Sequence, residues 1–182
     1  MTEQPQATSP LFRNGMSGHE SRNANTHVWL TPPRILSDLG IFDLDPCASI
    51  NQPWDTATRH LTVNDNGLLA AWHPSEFVWM NPPYGTQVWT WLERLARHPA
   101  GGIALIFART ETVGFVNQVW GKASSLRFLH GRIRFHHPDG SPGAGSAGAP
   151  SVLVGYGLEA SRRLEASALP GTYVSAWGRE EA

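Results

Sequence analysis

Cysteine is nearly absent from this chain of 182 residues, where Cys47 stands alone. One thiol excludes an intrachain disulfide and any zinc cluster built on cysteines. Lysine is as scarce, with Lys122 the single example, so positive charge rests on arginine, the better residue for bidentate phosphate or guanine contacts. No apolar run reaches the length of a membrane span, and Met1 to Pro10 is too polar for a signal peptide, so a cytoplasmic protein without a membrane partner is expected. The formal net charge of −1 leaves no global attraction to nucleic acid, only room for a local patch. No glycine lies between Gly40 and Gly67, so a Gly-x-Gly loop after the first strand is missing, and no internal repeat is found.

What is present is enough for one core, with 41% hydrophobic residues. Residues 1–26 are polar and poor in apolar side chains, and are read as a disordered or loosely attached arm before a single domain over 27–182. Thr31 is expected to cap a helix that starts on Pro32 and Pro33 and turns Ile35, Leu36 and Leu39 inward until Gly40. Ile41 to Leu44 alternates like a strand and delivers Asp45-Pro46-Cys47-Ala48. From Ser49 to Trp72 the pattern is irregular. Thr86 to Arg97 predicts a helix with a Val88, Trp91, Leu92, Leu95 stripe and a Glu93–Arg97 pair. Gly101 to Ala108 and Ser151 to Tyr156 read as buried strands, and Glu111 to Lys122 as a helix facing Val113, Val116 and Val119 or Trp120 inward. Leu126 to Leu129 and Ile133 to Phe135 read as a hairpin around Gly131-Arg132. Pro138 to Pro150, rich in glycine, reads as a flexible loop, and Glu159 to Ala168 as a short helix. The tryptophans Trp54, Trp72, Trp79, Trp89 and Trp91 are assigned to the core or to a pocket wall.

One stretch carries the chemistry. Phe77 to Met80 is a continuous apolar run, the mark of a strand covered on both faces. Asn81-Pro82-Pro83-Tyr84 then ends it, because neither proline has an N–H for the ladder and each fixes its φ. Functional groups of open α/β sheets gather where strands end at this edge. An exocyclic amine on a nucleobase is a poor nucleophile, its lone pair delocalised into the ring. The side-chain carbonyl of Asn81 and the main-chain carbonyl of Pro82 can accept both its hydrogens and aim that lone pair, while Tyr84 offers a ring for an extruded base to stack on. Two prolines hold the acceptors fixed before the reaction. The same tetrapeptide also reads as a plain Pro-Pro turn with Asn81 capping the next helix.

The blocks come in a telling order: Trp29-x-Thr31-Pro32; Phe42 to Ala48; Asp65, Gly67 and Leu68; Asn81 to Tyr84; Ala108 to Thr112; Gly131 to Phe135. Over roughly residues 27 to 157 the chain resembles the phage-type DNA N6-adenine methyltransferase family (phage Dam-like). The resemblance implies a compact Rossmann-like methyltransferase of the α/β class, with a mostly parallel sheet flanked by helices and an antiparallel C-terminal hairpin. It implies transfer of a methyl group from S-adenosylmethionine to adenine N6 in double-stranded DNA, with Asn81, Pro82, Pro83 and Tyr84 catalytic. Trp29, Thr31, Pro32, Asp45, Pro46, Cys47, Ala48 and Asp65 become cofactor-binding candidates. Asp45 also reads as a strand-end turn former, and Asp65 as part of an ordinary Asn-Asp-Asn-Gly turn. A phage or prophage origin in a bacterial host, within restriction and modification, belongs to the same expectation.

Pro46-Cys47 raises cytosine C5 chemistry through a thiolate, but the position matches the cofactor turn. Arg109, Arg132 and Arg134, with Arg127, His130, His136 and His137 nearby, form the basic concentration, read as phosphate contacts or as a solvated face. No metal is expected. Rival readings keep the amino chemistry on another acceptor (cytosine N4, an RNA base, a protein glutamine) or make the chain a DNA-binding protein without catalysis.

Overall fold

The computed structural model describes residues 28–175, so the N-terminal arm read over 1–26 lies outside the described residues. A seven-stranded sheet runs in the order β2-β1-β3-β4-β6-β5-β7. Its strands are β1 Leu44–Asp45, β2 Arg59–His60, β3 Val78–Met80, β4 Gly102–Phe107, β5 Ser125–Leu129, β6 Ser151–Tyr156 and β7 Gly171–Ser175. The helices are α1 Pro33–Leu39, α2 Val88–Ala96, α3 Val113–Phe115, which runs into a π-helical turn Val116–Trp120, and α4 Leu158–Ala166.

Alternate residues of the central strands face two separate apolar clusters. Val78, Met80, Ala104, Ile106, Val152 and Val154 meet α2 and the α3–π segment, while Trp79, Ile103, Leu105 and Leu153 meet α1 and α4. A sheet covered on both faces needs strands without polar alternation, and β3, β4 and β6 have none. In α2 the buried residues are Val88, Trp91, Leu92 and Leu95, and Arg97 pairs with Glu93 at 2.6 Å, as the periodicity predicts. Trp72, Trp79 and Trp91 are buried, and Trp54 and Trp89 pack against the two clusters.

The expectation of a mostly parallel sheet needs correction. The pairs β2–β1, β1–β3 and β3–β4 are parallel, whereas β4–β6, β6–β5 and β5–β7 are antiparallel. Because β6 opposes both neighbours, β5 nonetheless runs in the same direction as β4. The hairpin expected around Gly131 does not form either, since β5 pairs with β6 and β7. Ile133 and Phe135 are instead drawn into the α1 cluster, and His136 exchanges two backbone bonds with Leu30, at 2.9 and 3.0 Å. The 138–150 loop closes over this segment: Gly143 N–H donates to Phe135 O and Ala147 N–H to Ile133 O.

Two helix expectations fail on local grounds. Thr31 does not cap α1: Pro32 occupies the cap position, and Pro33 has no N–H to satisfy. In the 111–122 helix, Val113 and Val116 are exposed, and Phe115 and Val119 face the core. The ring of Trp89 lies on Gly114, where a Cβ would meet it at 2.2 Å, and this fixes the adjacent Phe115 as the inward residue. Among the described residues no helix is long and apolar enough to cross a membrane.

Candidate functional site

One edge of the sheet collects the chemistry. Strands β1, β3, β4 and β5 all end there, at Asp45, Met80, Phe107 and Leu129, and β6 and β7 begin there, since Phe107 pairs with Ser151 and Leu129 with Gly171. The short loops beyond these ends carry most residues singled out in the sequence.

Asn81 leaves β3 half-buried, and its Nδ2 donates to the main-chain oxygen of Trp29 at 3.0 Å. A carbonyl can only accept, so this bond fixes which way the amide lies and leaves Oδ1 on the other side. The Tyr84 hydroxyl is 3.5 Å from that Oδ1. Pro82 is buried, and its carbonyl takes no hydrogen bond from any described residue. The Tyr84 ring stacks on Phe107, centroids 4.3 Å apart at 17°, and meets the Phe135 ring edge-on at 6.2 Å. One ring face is therefore occupied, and burial holds the phenol well above its ordinary range.

The Trp29–Pro32 segment runs alongside. Its Leu30 is bridged to His136, and the Trp29 ring lies 5.1 Å from that of His137. Thr31 is 2% exposed, and its Oγ1 has no partner among the described residues. A buried hydroxyl without a partner costs free energy comparable to a lost hydrogen bond.

Beside β3, β1 delivers the acidic turn. Asp45 is buried, with Oδ1 accepting from Cys47 N–H at 2.9 Å and Oδ2 accepting from the Thr56 hydroxyl. Burial pushes its carboxyl up to about 6, with these two bonds opposing the shift. Burial, with the neighbouring Asp45 charge, raises the Cys47 thiol well above its usual value, the reverse of what a nucleophilic cysteine needs. Pro46 and Ala48 are buried in the same turn. Gly67 presses against it so closely that a Cβ would lie 2.0 Å from Pro46 O. Arg94 braces the 67–70 loop through the carbonyls of Gly67, Leu68 and Ala70, and its guanidinium lies 4.1 Å over the Trp72 ring. Asp65 is exposed and accepts from Thr62 N–H and hydroxyl through Oδ2, which lowers its pKa and gives it the turn-forming role.

The basic residues divide. Arg127 is 8% exposed and donates to Leu164 O and to Leu169 O twice, so it ties α4 to β5 and is no surface charge. Arg109, at the end of β4, is exposed. Arg132 and Arg134 line one recess with His130 and with Arg34 of α1, a residue the sequence did not single out; Arg109 is not among them. The sequence also missed Phe107, Phe135, Thr56 and Arg94. Signals existed for Phe107, the last apolar residue before Ala108-Arg109, and for Phe135, which closes the Gly131 to Phe135 block.

A family model described as DNA N-6-adenine-methyltransferase (Dam) matches residues 18–165. No curated protein matches the chain, and no solved structure does.

Proposed function

The chain belongs to the DNA N-6-adenine-methyltransferase (Dam) family, and from that membership we propose that it moves a methyl group from S-adenosylmethionine to N6 of an adenine extruded from double-stranded DNA. The observation that carries this reading is the amide of Asn81, tied through Nδ2 to Trp29 and so holding Oδ1 as an oriented acceptor. Asn81 Oδ1 and Pro82 O accept the two amine hydrogens, which draws the nitrogen toward tetrahedral geometry and directs its lone pair. Pro83 stiffens the turn. Tyr84, backed by Phe107, offers its ring for the extruded base to stack on. None of these groups is a strong base, so the proton released as the N–C bond forms leaves to water along an accepted hydrogen bond. No covalent enzyme intermediate is needed, in keeping with the raised Cys47 thiol.

S-adenosylmethionine, when bound, supplies an electrophilic methyl on a sulfonium sulfur. The residues at this edge fit it: Thr31 offers a buried hydroxyl without a partner among the described residues, and Asp65 keeps Oδ1 uncommitted. Trp29, Pro32 and the Asp45–Ala48 turn complete the wall assigned to it, with Asp45 shaping that turn from within. Arg109 meets DNA from the end of β4. The common direction of β1, β2, β3, β4 and β5, with these residues at one edge, supports a Rossmann-like methyltransferase sheet.

The test is chemical. Unmethylated duplex DNA is incubated with the protein and labelled S-adenosylmethionine, then digested to nucleosides, and label is expected in N6-methyldeoxyadenosine. Label in N4-methylcytosine would reassign the acceptor, and unlabelled DNA despite DNA binding would favour a binding protein without catalysis.

A further inference from the structure

Beyond β5 the chain from Arg132 to Phe135 belongs to no strand of the sheet, and its two sides differ. Ile133 and Phe135 are 9% and 6% exposed, and Phe135 packs edge-on against Tyr84. Arg132 and Arg134 alternate with them and are exposed. The segment is thus an inner wall for the Tyr84 shelf and, on its outer side, a mount for two guanidinium groups.

That outer side borders an open recess of about 230 Å³. Arg34, Arg132, Arg134 and His130 line it, over apolar surface from Ile35 and Ile133, and no carboxylate does. None of these three arginines has a carboxylate partner among the described residues, whereas five others are committed. Arg59, Arg97 and Arg163 pair with Glu76, Glu93 and Glu159, and Arg94 and Arg127 are spent on carbonyls. Arg34 has Asp38 one helical turn on, the spacing at which such residues ordinarily pair. Yet Asp38 accepts from the Ser167 hydroxyl at 2.5 Å and from Ala168 N–H at 3.1 Å, which turns it toward the end of α4. Arg134 has its Nε fixed on Gly143 O at 2.6 Å, leaving its two terminal amino groups without a partner among the described residues. In a chain of net charge −1, three guanidinium groups around one recess without a carboxylate partner among the described residues are a local exception.

We infer that this recess, walled by Arg34, Arg132 and Arg134, grips backbone phosphates of the DNA beside the extruded nucleotide. The inference rests on the reading that DNA is the acceptor. A guanidinium fork matches two phosphate oxygens, and an apolar floor suits the sugar between them. Position follows from shared backbone: Pro32 lines the recess, and three residues earlier the Trp29 carbonyl holds Asn81. A phosphate seated here fixes the strand relative to the amide that receives its base, without reading sequence.

The experiment is a salt titration of duplex DNA binding for the full chain and for Arg34→Gln, Arg132→Gln, Arg134→Gln and the triple variant, with exposed Arg162→Gln on α4 as control. Each single change should lower the slope of log K against log salt by about 0.9, and the triple change should weaken binding at least about 100-fold at low salt, with the control unchanged. S-adenosylmethionine binding should be the same in all. A triple variant with the original slope and affinity overturns the inference, even if the protein methylates adenine normally. Loss of the slope in a protein that never yields N6-methyladenine keeps the phosphate site and rejects the proposed activity. A triple variant weakened for inorganic phosphate but not for DNA also overturns it, because the recess then serves a free anion.

Discussion

The side-chain amide of Asn81 is hydrogen-bonded to the main-chain carbonyl of Trp29 at 3.0 Å, joining positions 52 residues apart. An amide serves both sides of this arrangement, donating to the carbonyl and accepting from a substrate amine, whereas a carboxylate can only accept. Asn81→Asp places a second acceptor against the Trp29 oxygen. Initial rates of methyl transfer at saturating DNA should fall at least about 100-fold, the cost of losing one oriented polar group in an active site. Stability should fall by only about 1 kcal/mol. An Asn81→Asp protein at the parent rate would show that the bond to Trp29 orients nothing.

Asp45 sets a pH dependence. Its folded carboxyl titrates near 6 against an ordinary 3.8, so the folded state keeps the proton to higher pH than the unfolded chain. Stability from this group is therefore full below about pH 4 and is lost as pH rises to about 6, a total of roughly 3 kcal/mol. Asp45→Asn removes the titration. Melting curves from pH 4 to 7 should show the variant gaining on the parent across that window. A constant difference between the two would overturn the assignment.

Cys47 should be inert. Its raised thiol predicts slow reaction with a disulfide reagent at pH 8 in the folded protein and prompt reaction once unfolded. Cys47→Ser should retain methylation within about tenfold, whereas a nucleophilic role would cost several powers of ten.

Gly67 answers to contact. An added Cβ meets Pro46 O at 2.0 Å and the Trp91 ring at 2.9 Å, and neither can move cheaply. Gly67→Ala should destabilise the protein by about 1–3 kcal/mol, as overpacking does, and weaken S-adenosylmethionine binding measured by calorimetry through the displaced 45–48 turn. Unchanged binding with lowered stability would separate that turn from the cofactor.

The legible parts of the fold were those where one local pattern has one solution. The Val88, Trp91, Leu92, Leu95 stripe admits only a helix packed on one side, and the run Phe77 to Met80 followed by two prolines admits a buried strand that stops. The 126–135 region had two solutions. Its alternation and Gly131 suit a hairpin, but they equally suit a strand followed by an inward-facing strut, and the choice rests on Tyr84 and Leu30, far back in the chain. Strand β7 was invisible because its residues are half-exposed at an edge and pair with β5 over forty residues earlier.

The site divides in the same way. Asn81 and Tyr84 were legible because their side chains are the chemistry. The partner of Asn81 is a main-chain carbonyl, which any residue at position 29 would supply, and Thr56 meets Asp45 from an irregular loop with no pattern of its own. Arg127 and Arg132 look alike in sequence, yet one is spent on two carbonyls within the core and the other is exposed.

The antiparallel place of β6 between β4 and β5 has a consequence during synthesis. Strand β4 is complete once Phe107 has been made, but one edge of it has no partner until Ser151 to Tyr156 emerge from the ribosome. For more than forty residues of elongation the nascent chain carries Gly102–Phe107, a strand without a polar side chain, with an open ladder on one side. Any product cut short before Ser151 keeps that edge permanently, and its fate is association with another strand edge before it can be an enzyme.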